Sequence, residues 1–194
     1  MEENKIQEEY QIKSKTYKMF MIFGMISIVM IFAGLTSAFI VSKSRKDWLQ
    51  NFEMPQTFLI STIALLLSSL TFWFAKQMIK KHKNTNGMLC LLLTFVLGIV
   101  FVIFQFKGFN ILFDEGLVPV GPSGSVTISF LYAFVVVHIA HLFGGFISLL
   151  VVIYNHYKQK YNSGQTLGIE LSAMYWHFMD FIWLGLFLFF YFFK

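Results

Sequence analysis

The sequence predicts an all-α integral membrane protein that folds as a bundle of five transmembrane helices. Of its 194 residues, 57% are hydrophobic and 13% are charged. Soluble domains carry about 25% charged residues. The mean hydropathy is +0.66, and the apolar residues are concentrated in five long runs separated by short polar segments. Composition and pattern together therefore favour a membrane protein over a soluble globular domain.

Each apolar run is long enough to cross a membrane. A hydrocarbon core of about 30 Å needs about 20 helical residues, because an α-helix rises about 1.5 Å per residue. Residues 1–18 are polar and mixed in sign, so they are predicted as a cytoplasmic tail before a single membrane domain over 19–194. The predicted spans are 19–41, 56–75, 87–106, 126–154 and 171–193.

Small or weakly polar side chains recur along one face of the first four spans. Membrane helices associate where small residues let backbones approach closely and where polar groups pair across the interface. These stripes therefore predict a packed bundle rather than independent anchors. They consist of Gly24, Ser27, Gly34 and Ala38; of Ser61, Ala64, Ser68, Thr71 and Ala75; of Thr94, Gly98, Phe101 and Gln105; and of His138, His141, Gly144, Gly145 and Ser148.

The loop lysines predict the orientation of the bundle. The tail and the 76–86 and 155–170 loops carry most of the lysines, which places them on the cytoplasmic side by the positive-inside rule. The N-terminus is therefore predicted in the cytoplasm and the C-terminus outside. The 107–125 loop, with its turn at residues 121–124, lies outside in this arrangement. The net charge of +5 is assigned to lysines facing the membrane surface, so no nucleic-acid partner is expected.

The last span carries titratable residues within the membrane. A carboxylate at the centre of a membrane helix costs on the order of 2.5–3.5 kcal/mol, so the polar face of this span is predicted to dock against protein. Its two tryptophans lie too deep for an interfacial belt and are interpreted as packing anchors at a helix or subunit contact. At 100° per residue, an arc of roughly 140° collects the members of this face. They are Glu170, Ala173, Trp176, His177, Asp180 and Trp183.

The intramembrane histidines allow more than one interpretation. His138 and His141 share a helical face, as in a metal or haem site, but the chain has only 5 histidines and no HExxH pattern. Buried hydrogen bonds between helices are the favoured interpretation. His177 and Asp180 are compatible with a proton relay, but the first three spans add only Gln105 with serines and threonines. We therefore favour a structural role in which Asp180 is neutral or bonded to a histidine or tyrosine.

No catalytic or metal site is predicted for the chain alone. Cys90 is the only cysteine, which excludes an intrachain disulfide or a thiolate cluster. Paired cysteines, glycine-rich phosphate loops and activated serine patterns are missing from the sequence as well. The residues singled out above are therefore assigned to packing and docking.

Several motifs resemble subunit III of the haem–copper respiratory oxidases, in its short five-helix form. Residues 168–183 contain GIE and then, from Tyr175, YWHFMDFIW, which is similar in order and spacing to that family's closing GxE…YWHFVDxVW signature. Residues 138–145, with two histidines and a glycine, resemble its HGxHVxxG helix. Residues 97–105 are similar to its LGxxFxxxQ span, and residues 27–39 to the first span of its shorter members.

The chain also departs from the family pattern at polar positions. Ile28 stands where the family usually has a buried glutamate, and Gly108 where an outer-side glutamate is common. Thr166 replaces a histidine before GxE, and Ile139 replaces the glycine that follows the first histidine. These differences weaken a direct role in proton handling and leave the bundle unaffected.

The resemblance implies a non-catalytic accessory subunit of a proton-pumping terminal oxidase in aerobic respiration, located in a bacterial-type inner membrane. Such a subunit binds no haem or copper, since these lie in partner subunits. It packs against catalytic subunit I, supports proton uptake and binds phospholipid in a cleft. The implied partners are the other oxidase subunits, membrane lipids and a respiratory supercomplex, and the electron donor, cytochrome c or quinol, is set by other subunits.

Two alternative functions stay open from the sequence. The first is a subunit-III-like accessory protein of a nitric oxide reductase. The second belongs to a different class, an autonomous metal-using membrane enzyme or transporter that employs the intramembrane histidines and Asp180. Metal or activity in the isolated chain would favour the second alternative.

Overall fold

The helical fold is confirmed over the residues that the structure describes. A computed structural model describes residues 2–45, 48–49, 54–81, 83–121, 124–161 and 166–193, so Pro122 and Ser123 of the predicted turn lie outside the described residues. Within these ranges the chain forms five helices, each long and apolar enough to cross a membrane. They are α1 (Glu2–Ser42), α2 (Gln56–Lys80), α3 (Asn84–Asp114), α4 (Val126–Tyr157) and α5 (Leu167–Phe193).

The helices extend past the predicted spans, because hydrophobicity sets the span while helix formation continues into polar sequence. α1 begins at Glu2, so the polar tail is a helical continuation of the first membrane helix. Its Glu, Lys and Gln residues are good helix formers, and no glycine or proline interrupts them before Gly24. α2 begins directly after Pro55, whose φ of −54° already suits a helix start.

Four of the helices close into a ring, and the fifth packs on its outside. α2 contacts α3, α3 contacts α4, α4 contacts α5, and α5 returns to α2. α1 lies against α4 and α5. The backbone of α5 therefore approaches three other helices, and its side chains also contact α3, which places its polar face at the junction of the bundle.

Aromatic rings fill the interior where α3, α4 and α5 meet. Trp176 of α5 is fully buried, and its indole lies between two glycines. A Cβ added at Gly98 would meet Phe146 at 2.8 Å and Trp176 at 3.0 Å, and one at Gly145 would meet Trp176 at 3.4 Å. The small residues predicted for α3 and α4 thus provide the space that a large ring occupies.

The predicted stripe on α1 is wrong. Gly24 and Gly34 have no other part of the chain within 4 Å of an added Cβ, so the small residues of α1 do not face the bundle. α1 packs instead through Ile28, Phe32 and Phe39, which are buried. Large side chains suit this position because α1 lies across the groove between α4 and α5, where backbones do not need to approach closely. Gly144 of α4 is also exposed.

Two glycines offer a matched test of this packing. Gly98→Ala should lower the free energy of unfolding by about 1–3 kcal/mol, because its new methyl group overlaps the rings of Phe146 and Trp176. The methyl group of Gly34→Ala would lie in open space. This variant should therefore leave the free energy of unfolding unchanged, or raise it by up to about 1 kcal/mol because alanine has the higher helix propensity. Thermal unfolding in detergent measures both, and equal effects would contradict the packing described above.

Candidate functional site

The polar face of α5 lies inside the chain's own bundle. Ala173, Trp176, Asp180 and Trp183 are each no more than 3% exposed, whereas Glu170 and His177 are half-buried. The buried positions of this face therefore lie against protein rather than lipid. The protein in question is the same chain, because α2, α3 and α4 provide the surrounding rings and hydroxyls.

The two tryptophans of this face anchor α5 to α2. Trp176 Nε1 donates a hydrogen bond of 3.1 Å to Ser68 Oγ, and Trp183 Nε1 donates one of 3.0 Å to Thr62 Oγ1. Their rings also pack edge-on against aromatic neighbours, Trp176 against Phe146 with centroids 5.4 Å apart. A buried indole needs a partner for its N–H, and the hydroxyls of α2 satisfy that need. Both tryptophans therefore act at helix contacts within this chain.

His177 bonds to a serine and not to the neighbouring aspartate. His177 Nδ1 and Ser69 Oγ share a hydrogen bond of 2.6 Å, which adds a third link between α5 and α2. Asp180 is 3% exposed, and neither of its carboxyl oxygens makes a hydrogen bond of good geometry within the described residues, although the hydroxyl of Ser69 lies near this carboxyl group. The expected pairing of Asp180 with a histidine or tyrosine is not found in this part of the chain. That Asp180 is neutral stays a prediction, favoured because an uncompensated buried charge is costly.

His138 packs among aromatic rings. It is fully buried, and its ring centroid lies 5.0 Å from that of Trp183, 5.9 Å from that of Phe101 and 6.4 Å from that of Phe32. Neither of its nitrogens has a hydrogen-bond partner in the described chain. The expectation of a bond between helices is therefore not met at His138, since rings occupy the space around it.

His141 and Tyr175 form a contact between α4 and α5. His141 Nδ1 donates to the carbonyl of Val137 on its own helix at 2.7 Å, so this bond does not join two helices either. The Tyr175 hydroxyl donates to the carbonyl of His141 at 2.9 Å. Gly145 lies under the same tyrosine ring, since a Cβ added at this glycine would be 3.5 Å from Tyr175 Cε1. The backbone of α4, rather than its imidazoles, therefore provides the polar contact at this position, and Ser148 Oγ and Ser172 Oγ share another bond between the two helices at 3.0 Å.

Gln105 joins α3 to α2, as the prediction of buried polar pairing requires. It is fully buried, and its Nε2 donates to Ser61 Oγ at 2.8 Å. Thr71 and Thr94 share a second bond of 2.8 Å between the same two helices. The amide oxygen of Gln105 has no partner among the residues described.

Glu170 binds two lysines from two other helices at one end of the bundle. Its carboxylate oxygens lie 2.8 Å from Lys18 Nζ on α1 and 2.8 Å from Lys80 Nζ on α2. Thr166 Oγ1 donates to the same carboxylate at 3.3 Å. The position also suits an acid, because the first turn of a helix carries partial positive charge. Glu170 thus links α1, α2 and α5.

Removing this carboxylate tests how the outer helix is held. Glu170→Gln should change the overall free energy of unfolding by no more than about 1 kcal/mol, because the side chains of both lysines are partly exposed to solvent, at 41% and 43%. Hydrogen exchange around Lys18 should nevertheless become faster, since α1 loses its ionic contact with α5. High salt should reproduce the effect in the unchanged protein. Exchange that responds to neither change would contradict this role.

Sequence reasoning missed some of these partners. Thr62 and Ser69 bind the polar face of α5, and Lys18 and Lys80 bind Glu170, but none of the four was singled out as a partner. The signal that was available is that a hydroxyl pair such as Ser68 and Ser69 on one helix can satisfy a buried ring nitrogen on another.

In the described ranges, no group of three or more His, Cys, Asp or Glu residues is close enough to hold a metal ion.

Comparison with known proteins places these features in a family. Residues 2–194 match the sequence profile of the family described as cytochrome c oxidase subunit III. Among curated proteins, the chain is 35% identical over 139 residues to "Probable quinol oxidase subunit 3" of Staphylococcus haemolyticus, covering 70% of this chain and 66% of that protein. It is 30% identical to cytochrome bo(3) ubiquinol oxidase subunit 3 of Pseudomonas aeruginosa, covering 70% and 63%. It is 27% identical to cytochrome c oxidase subunit 3 of Corynebacterium diphtheriae, covering 84% and 82%.

The chain thus spans slightly less than two thirds of the first two of these relatives and most of the third. The names of the relatives divide between quinol and cytochrome c oxidases, so the similarity follows the subunit type rather than the electron donor. The family profile covers nearly the whole chain, including every helix described above. The chain belongs to the cytochrome c oxidase subunit III family.

Proposed function

We propose that the chain is the non-catalytic accessory subunit III of a proton-pumping haem–copper terminal oxidase in aerobic respiration. In this proposal it packs against the catalytic subunit, which holds the haems and copper, and stabilises it in a bacterial inner membrane. It also supports proton uptake and binds phospholipid. The N-terminus lies in the cytoplasm, so the end of the bundle that carries Glu170 faces the cytoplasm.

One observation carries the proposal beyond family membership. The signature run from Tyr175 to Trp183 bonds to α2 and α4 of the same chain, where it forms the junction of the bundle. The most polar residues of this run are bonded to α2 or buried inside the bundle. They can therefore hold the helices together as one rigid body. A rigid membrane body with such an interior suits a scaffold for a redox partner.

Purification of the tagged chain from its native membrane tests this function. We expect it to co-purify with haem-bearing subunits, which the haem spectrum and mass identification of the subunits would show. The chain expressed alone should bind neither haem nor copper. A chain that purifies without haem-bearing partners, or that binds metal by itself, would contradict the proposal.

Loss of the subunit tests its supporting role. An oxidase prepared without this chain should take up protons more slowly and lose activity during turnover. Adding back the purified chain should restore both properties. Comparison of reduced quinol and reduced cytochrome c as substrates of the same preparation would identify the electron donor. Uptake and turnover that do not depend on the chain would contradict this part of the proposal.

A further inference from the structure

One face of α5 is left uncovered by the rest of the described chain. α1 and α2 both pack against α5, but their backbones do not approach each other within the described residues. Between them, Phe181 is 72% exposed and Leu188 is 43% exposed, and a Cβ added at Gly185 would meet open space. At 100° per residue these three positions and His177 fall within about 80° of one another. We call the strip formed by His177, Phe181, Gly185 and Leu188 the outer face of α5.

Two ring nitrogens beside this face have no partner in the described part of the chain. His177 is half-buried, and its Nδ1 shares a bond with Ser69 Oγ, whereas its Nε2 makes none. Trp73 of α2 is 48% exposed, and its indole N–H makes no hydrogen bond either. The ring of Phe72, the residue before Trp73, has its centroid 6.2 Å from that of His177. Trp73 and His177 therefore lie at a similar depth on neighbouring helices.

These groups lie within the membrane-spanning part of the bundle. His177 follows Glu170 by two turns, so it lies about 10 Å inside the end at which Glu170 binds its two lysines. The buried carboxyl group of Asp180 lies behind it, near the same Ser69 hydroxyl, and makes no hydrogen bond of good geometry. Hydrocarbon offers no acceptor to an N–H group. The seam between α2 and α5 therefore exposes polar groups that lipid chains do not satisfy.

A second exposed surface of the bundle has the opposite character. The groove between α3 and α4 is lined by apolar side chains alone, among them Phe95, Phe143 and Phe146. Acyl chains cover such a surface without loss, because they are as apolar as the side chains themselves. Of these two surfaces, the outer face of α5 is therefore the one that gains hydrogen bonds when protein covers it. Gly185 also lets a partner backbone approach closely.

We propose that the outer face of α5, together with Trp73, is the surface on which a transmembrane helix of the catalytic subunit docks. That helix presents a side-chain oxygen that accepts the indole N–H of Trp73 and a polar group that bonds to His177 Nε2. This inference rests on the proposed function, which gives the chain a catalytic partner, and adds which surface binds the partner and by which chemistry. Asp180 then lies directly behind the contact.

The first experiment places a photoreactive phenylalanine analogue at two matched positions of the full chain. p-Benzoylphenylalanine replaces Phe181 in one variant and Phe143 in the other. These phenylalanines are 72% and 65% exposed, but Phe143 lies in the wall of the α3–α4 groove. The tagged complex is irradiated in its native membrane and purified, and its adducts are identified by mass spectrometry. We expect position 181, and not position 143, to crosslink to the haem-bearing catalytic subunit.

Trp73→Phe tests the hydrogen bond itself, because it keeps an aromatic ring and removes the indole N–H. It should lower the affinity of the chain for the haem-bearing subunits in detergent about threefold, as expected for one hydrogen bond between membrane helices. The thermal stability of the isolated chain should not change. Trp183→Phe is the matched control, because that indole already bonds to Thr62 of the same chain. It should weaken the isolated chain instead.

Several results would overturn this docking surface. Position 181 could crosslink only to lipid or only to a second copy of the chain, the two positions could crosslink to the catalytic subunit equally, or Trp73→Phe could leave the affinity unchanged. If the variant at position 181 does not assemble, Trp73→Phe decides alone. A complex that keeps its haem-bearing subunits while giving any of these results refutes the surface and leaves the accessory function standing. A chain that purifies without haem-bearing subunits refutes both.

Discussion

Trp176→Ala is expected to destabilise the chain more than any other substitution considered. Trp176 is fully buried, touches Phe72 and Phe146, and fills the space left by Gly98 and Gly145. Truncating a buried tryptophan costs about 3–5 kcal/mol in soluble cores, because a cavity is left behind. Lipid is as apolar as the interior of the bundle, so moving the ring out of the bundle costs less than it would in water. We therefore expect the free energy of unfolding to fall by about 3 kcal/mol. Thermal unfolding in detergent, with the haem retained by the complex as a second readout, measures the loss.

Two further variants separate packing from hydrogen bonding at this position. Trp176→Phe keeps most of the ring volume and removes only the bond to Ser68, so it should cost about 0.6 kcal/mol. Trp73→Ala removes a tryptophan of α2 that is 48% exposed, and should stay within about 0.5 kcal/mol of the unchanged chain. If Trp73→Ala were as damaging as Trp176→Ala, the bundle junction would not be where the structure has it.

The burial of one face of α5 could be predicted from sequence because the polar residues and tryptophans of this helix all lie on that face. A helical period of 3.6 places Asp180 and the two tryptophans on one arc, and polar groups avoid hydrocarbon, so that arc had to be covered. The same reasoning identified Gly98 and Gly145 as close-packing positions, and the ring of Trp176 lies against both of them. Pattern and energetics point to the same face at these positions.

The partners on the other helices could not be predicted in the same way. A membrane hydroxyl can always bond to its own helix, as Thr62 does to the Phe58 carbonyl at 2.7 Å. Whether it also accepts a bond from Trp183 depends on how α2 and α5 are registered, which sequence does not encode locally. The prediction for α1 was wrong for a related reason. Both faces of this helix are apolar, so nothing in its pattern shows whether the side with Phe32 or the side with Gly34 faces the bundle.

Asp180→Leu is expected to stabilise the isolated chain, against the usual effect of a core substitution. Asp180 is 3% exposed, and its carboxyl oxygens make no hydrogen bond of good geometry in the described part of the chain, where the nearby Ser69 hydroxyl is bound to His177. A buried polar group left unsatisfied costs about 1–3 kcal/mol, and leucine has nearly the same shape without that penalty. The free energy of unfolding should therefore rise by about 1–3 kcal/mol in detergent. His177→Leu should have the opposite sign, because it breaks the bond to Ser69.

The matched control for this prediction is Asp180→Asn. It keeps the shape of the side chain and leaves an unsatisfied polar group in place, so stability should change little. If Asp180→Leu stabilises the isolated chain yet weakens its retention of haem-bearing subunits, then the carboxyl group is kept at the expense of the bundle for the benefit of the complex. If it destabilises the isolated chain instead, Asp180 must accept a hydrogen bond, either from the nearby Ser69 hydroxyl or from a group beyond the described residues such as an ordered water. Such a result would contradict the view that the carboxyl group of Asp180 is unsatisfied within the bundle.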